Sequence, residues 1–216
     1  SSRYSRRPVD SAANRTRPPW EAETQARLAV RFADQGVVGF GLSNDERLGQ
    51  PEDFAKAFRI ARQGGLVAMP HAGALLGAES VDRTVRALHP VRIGHGVRAV
   101  EDPQVLDLLA ERGIACEVCP ASNVALGVVG DHADVPLRRF ADAGVPVVLA
   151  ADDPLLFGAS LVEQYVVARG ALGHSRAELA HLARTSIDVS TMPDSVARMV
   201  RADIDAWEDD EPAAVS

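Results

Sequence analysis

The sequence predicts an α/β fold, specifically a partial (β/α)8 barrel of five βα units followed by extra C-terminal helices. Two observations lead there. Short apolar runs alternate with helix-like stretches five times along the chain, and such alternation implies parallel βαβ units with right-handed crossovers. Several of the runs also deliver polar groups at their C-terminal ends. These are Met69-Pro70-His71-Ala72-Gly73-Ala74, Val91-Arg92-Ile93-Gly94-His95-Gly96, Ile114-Ala115-Cys116-Glu117-Val118-Cys119-Pro120, and Val145 to Leu149 leading into Asp152-Asp153-Pro154. Parallel barrels carry their chemistry at the C-terminal ends of strands, so these ends favour a barrel over an open sheet. At 216 residues the chain is shorter than the roughly 250 of a complete barrel.

Residues 1–20 read as a flexible arm. Arg3, Arg6, Arg7, Arg15 and Arg17 stand against the single acid Asp10, with three prolines and little apolar content. From Glu21 the pattern changes, and residues 21–207 form the expected domain. Ala26, Leu28, Ala29, Val30, Phe32 and Ala33 recur at helical spacing, with Gly36 as the stop. Val37 to Leu42 is nearly all apolar, as a parallel strand buried on both faces requires. Pro51 opens a helix striped by Phe54, Ala57, Phe58 and Ala61, and Gly64-Gly65 ends it.

After the strand at Leu66 to Pro70, Val81, Val85 and Leu88 mark the next helix. A helix from about Asp102 to Gly113 buries Val105, Leu108 and Leu109, and another spans about Pro136 to Asp142. Helices are expected near 160–168, 177–185 and 194–207. The acidic tail, 208–216, is expected to fray.

The composition is 46% hydrophobic and 25% charged, that of an ordinary globular protein. A net charge of -7 argues against a nucleic-acid surface. No apolar run approaches the roughly 18 residues of a membrane span. Two cysteines and no secretory signal make a reducing cytoplasm the expected compartment.

Taken together, the strand ends resemble the adenosine deaminase family, zinc-dependent (β/α)8 enzymes of the wider amidohydrolase group. The residues that carry the resemblance are His71-Ala72-Gly73, Gly94-His95-Gly96 with Glu101-Asp102, Glu117-Val118-Cys119-Pro120 with Ser122-Asn123, and Asp152-Asp153-Pro154 with Phe157-Gly158. The segment from Val37 to Glu46 resembles that family's fourth strand. The likeness covers about Glu21 to Trp207 and implies the last five βα units of such a barrel.

The resemblance implies roles for particular residues. His71 and Asp152 match zinc ligands, His95 the histidine that orients metal-bound hydroxide, and Asp153 the carboxylate that holds the purine. Asn44 matches a substrate-binding glycine whose contact is a backbone N–H, which asparagine also has. The implied reaction is attack of zinc-bound hydroxide on C6 of a 6-aminopurine nucleoside or base, with ammonia leaving. The metal lowers the pKa of its water towards about 7.

Departures from the family pattern set a second expectation. Ala74 stands where the family has its catalytic glutamate, and a methyl group cannot donate a proton. That help is worth about 100- to 10,000-fold. No His-x-His pair occurs anywhere, although catalytic zinc normally takes about three protein ligands. The chain is therefore expected to be a truncated or degenerate member, impaired or inactive. Its barrel would be completed by a missing N-terminal part or a second copy. The rival reading is a non-catalytic purine-binding or assembly module.

Plainer readings stand beside these. Asp152 and Asp153 precede Pro154 and suit a helix N-cap. Asn44, Asp45 and Glu46 suit either ligand contact or a cap on the next helix. Cys116 and Cys119 lie three apart on a strand, facing opposite sides, so they do not chelate one ion together. His89, His132, His174 and His181 are expected at the surface.

Overall fold

The computed structural model describes residues 8–210. In chain order the elements are β1 (Val9–Asn14), α1 (Pro19–Arg31), β2 (Val37–Ser43), α2 (Ala55–Gln63), β3 (Val67–Ala72), α3 (Ala78–Leu88), β4 (Arg92–His95), α4 (Pro103–Glu111), β5 (Ala115–Val118), α5 (Pro120–Ala125), α6 (Leu137–Asp142), β6 (Val147–Leu149), α7 (Pro154–Phe157), α8 (Leu161–Gly170), α9 (Arg176–Asp188) and α10 (Asp194–Asp209). Strands and helices alternate as a (β/α)-barrel segment requires, and the helix positions follow the sequence reading closely.

The N-terminal expectation is corrected. Residues 9–14, assigned to a flexible arm, form β1, which pairs in parallel with β2. Arg15, counted with the arm's loose cations, is 2% exposed. Its basic neighbours hid the strand, because β1 shows only short alanine and valine side chains and no hydrophobic run. The first seven residues lie outside the described part. At the other end, Glu208 is not in a loose tail. It belongs to α10 and pairs with Arg184 at 2.5 Å. Residues 211–216 lie outside the described part.

The chain divides into two compact units. Of the described residues, the first holds 8–118 and 138–146 and contains β1 to β5, which pair in parallel in sequence order through their successive registers. Its core lies on one side of the sheet. Phe40 and Leu42 of β2 and Ala68 of β3 pack with Ala22, Ala26 and Ala29 of α1 and with Ala57, Phe58 and Ala61 of α2. The alanine faces let α1 and α2 approach the sheet closely, and Phe40 meets Phe58 edge-on at 5.1 Å.

Leu28 and Phe32, expected in this core, are 52% and 42% exposed. In α4 it is Leu106, not Leu108, that joins Val105 and Leu109 in the interior. β2 is buried from Gly39 to Leu42, as expected, but one face of it is glycine. Alternate positions of neighbouring strands on that face carry Met69, His71, Arg92, Gly94 and Glu117, by the period-2 rule and the observed register. The sheet is thus apolar towards its helices and polar on the opposite face, where Arg92 and Glu117 pair at 3.3 Å.

The second unit holds the described residues 119–137 and 147–210. α9 packs on α10 and β6. Arg176 lies over the Trp207 ring at 4.1 Å, and Arg184 also pairs with Asp205 at 2.5 Å. No described helix is long and apolar enough to cross a membrane.

Candidate functional site

In the first unit, β3 and β4 bring His71 and His95 together. Their registers place His71 beside Gly94 and Ala72 beside His95. The two rings meet edge-on, 5.2 Å between centroids at 80°. Gly94 makes room for this: a Cβ there would lie 2.2 Å from His71 Cδ2. His95 is buried and sits at φ 64°, a conformation L residues rarely adopt.

That backbone feature recurs at the predicted site residues. Among the described residues, four that are not glycine have positive φ: Asn44, His89, His95 and Asp152. Three of them are residues the family resemblance singled out, and the fourth, His89, ends α3 as its left-handed cap. Such positions cost about 1–3 kcal/mol and cluster where function requires a fixed side-chain direction.

Ala74 lies in the bend after β3 and is buried. Gly73 before it takes φ 71°, and a Cβ there would meet Val81 Cγ2 at 2.5 Å. This bend is held by a residue whose role the sequence left undecided. Glu46, 3% exposed, accepts from the backbone N–H of Gly73 at 2.9 Å, Ala74 at 2.7 Å and Leu75 at 3.2 Å, and from the Ser80 hydroxyl at 3.2 Å. It therefore neither faces solvent nor caps the next helix; it ties β2's exit loop to β3's.

Arg15, missed altogether, donates from Nη2 to the His71 carbonyl at 2.6 Å. Burial pushes its guanidinium down from the usual range, and Glu46 and then Asp45 pull it back. Asn44 is exposed. Asp45 is held by Arg47, whose hydrogen bonds lower its carboxyl to about 2.

In the second unit, Asp153 accepts from Leu155 N at 3.0 Å and Leu156 N at 3.1 Å through Oδ1, the plain N-cap reading. Asp152, exposed, has a carboxylate oxygen within 4.8 Å of the Cys119 sulfur. Cys119 was set aside as half of an unproductive pair. Cys119 is the N-cap residue of α5, and Cys116 is sealed in β5, its thiol pushed to about 12 by burial and then by Glu117. Both are free.

Asn123, fully buried, has neither side-chain polar atom partnered among the described residues. His174 is also buried, contrary to the surface expectation, while His89 and His181 are exposed as expected.

Imidazole nitrogen and carboxylate oxygen are both good zinc ligands. Gly94 leaves His71 its space and Asp152 is solvent-accessible, so each, taken by itself, has the donor chemistry of a zinc ligand. Each of them belongs to its own unit.

Comparison with known proteins adds the following. The sequence model of the family described as "Adenosine deaminase" matches residues 9–207. A candidate adenosine/adenine deaminase of Streptomyces virginiae is 58% identical over 196 residues, 91% of this chain and 58% of the relative. The chain thus spans little more than half of that relative's length. The crystal structure of an adenine deaminase from Arthrobacter aurescens superposes with a TM-score of 0.85 at 28% identity, covering 93% of this chain and 61% of the other. An amidohydrolase from Burkholderia ambifaria, solved with bound Zn, gives a TM-score of 0.84 at 27% identity, covering 94% of this chain and 57% of the other.

Proposed function

The chain belongs to the adenosine deaminase family, and from that membership we propose that it is an aminopurine hydrolase whose proton donor has been lost. The observation that carries this reading is Ala74. The bend is kept, with Gly73 at positive φ and the N–H groups bound to Glu46, yet the side chain at the acid's position is a methyl. Glu46 does not replace the acid, because four donors take up its two oxygens.

By the family pattern His71 of the first unit and Asp152 of the second are each a zinc ligand, and zinc supplies hydroxide at neutral pH when bound. His95, fixed at positive φ against His71, orients the attacking oxygen. Asp153 spends Oδ1 on its cap and offers Oδ2 to a ring nitrogen or amine of the purine. The backbone N–H of Asn44 is a further purine contact. With no carboxyl group at position 74, the ring nitrogen receives no proton as the oxygen attacks, and the reaction is slowed by about 100- to 10,000-fold. The Streptomyces and Arthrobacter proteins, by their names, favour adenine or adenosine as the base.

The test is zinc per chain, then ammonia release from adenine and adenosine by the chain and by Ala74→Glu. The expected result is a rate about 100-fold or more higher in Ala74→Glu. Equal, measurable rates would remove Ala74 from the role. Purine bound with no ammonia from either chain would favour a non-catalytic binding module, the second reading that the same methyl supports.

A further inference from the structure

Two buried charged side chains converge on the end of β3 and the bend that follows it, and neither contributes a group to the proposed chemistry. Arg15 follows β1, and its own N–H is paired to Ser43 O at 3.1 Å. Its Nη2 reaches His71 O at 2.6 Å, while Nε and Nη1 are buried without hydrogen-bond partners among the described residues. Glu46 follows β2 and takes the N–H groups of Gly73, Ala74 and Leu75. The loop carrying Glu46 is pressed against Arg15, since a Cβ on Gly49 would lie 2.3 Å from Arg15 O.

The cost of this arrangement is informative. A guanidinium with two orphaned nitrogens is expensive to bury, and apolar residues would serve packing alone at least as well. What the pair supplies is direction. The bend at 73–76 has no regular secondary structure, so Glu46 is the partner that fixes three consecutive N–H groups. The carbonyl of His71 is the nearest backbone handle on the imidazole.

We propose that Arg15 and Glu46 are positioning residues: together they fix the backbone from His71 to Leu75, and with it the aim of the His71 imidazole and of the side chain at position 74. As a role in aminopurine chemistry this rests on the function proposed above. The strut itself can be tested without zinc, purine or turnover, so the two can fail separately.

The experiment is NMR on the full chain. In the unaltered protein, the amides of Gly73, Ala74 and Leu75 should exchange with solvent as slowly as β4 amides, although they lie outside any strand. Glu46→Gln keeps the shape but sets an amide NH2 against the bend's N–H groups. It should speed exchange at 73–75 by about 10- to 100-fold and shift the His71 ring signals, with Ile93 exchange and the exposed His89 ring unchanged. Arg15→Met should shift the His71 ring signals, and Arg15→Lys, which retains one donor, should restore them in part. Fast exchange at 73–75 in the unaltered chain overturns the proposal, and that arm requires no variant to fold. So does a Glu46→Gln protein whose His71 signals stay in place, or one that loses protection equally at Ile93; either would leave Glu46 a purely structural group.

Discussion

The bend after β3 and the turn after β6 carry matching parts of the family pattern, yet they are held in opposite ways. At His71 to Leu75, the backbone is fixed from outside its own segment, by the buried side chains of Arg15 and Glu46. At Asp152-Asp153, it is fixed from within, by one carboxylate capping the four-residue helix that follows it, in contact with water. A side chain aimed by remote buried groups depends on distant parts of the sequence. One aimed by a local cap depends on two or three neighbours. The first region should therefore be brittle and the second forgiving.

The largest effect is expected at Glu46. Glu46→Ala strands three N–H donors, two of them in buried bonds, and the Arg15 charge, and should lower unfolding stability by about 3–5 kcal/mol in urea titration. A loss under about 1 kcal/mol would erase the contrast. Gly94→Ala comes next, because its methyl meets the His71 ring; overpacking costs about 1–3 kcal/mol, and the His71 ring signals should move with it. In the second region, Asp153→Ala removes only an exposed cap and should cost about 0.5–2 kcal/mol. If it matched Glu46→Ala, the turn would be no more forgiving than the bend.

Smaller still is Asn44→Gly, which relieves φ 77° and should stabilise the chain by a few tenths to about 1 kcal/mol. A destabilised Asn44→Gly would mean that its side chain makes an unrecognised contact. The smallest effect is at Asp45. Its carboxyl is depressed to about 2 by hydrogen bonds from Arg47. A depressed carboxylate adds stability above its unfolded pKa of about 4 and loses it as pH falls through about 2. Carboxyl NMR should give a midpoint near 2 in the folded chain, and a midpoint near 4 would show that the exposed pair with Arg47 does not persist.

Much of the fold was legible because it rests on local rules. The helix stripes of α2 and α3, the cap before Pro154, and the run of strand-end motifs were each readable within a dozen residues. Three of the singled-out site residues then proved to be positive-φ positions, which supports a shared constraint on backbone geometry. β1 was lost because Val9–Asn14 offers little apolar periodicity and lies among arginines, and its strand pairing is to residues 37–43. Cys119 was dismissed together with Cys116, because their sequence spacing says nothing about a strand that ends between them and leaves the second residue as the N-cap of a new helix.

The sequence by itself determined the family, the order of βα units and the residue types at the strand ends, because alternation and short motifs are local signals. Only the tertiary structure decided what holds those residues in place. Arg15 lies 56 positions before the carbonyl it binds, and Glu46 27 to 29 positions before the N–H groups it accepts from. A charge at either position looks the same in sequence as any solvated arginine or glutamate. It becomes a strut when parallel pairing brings the ends of β1, β2 and β3 side by side and the surrounding core excludes the water that would otherwise satisfy it.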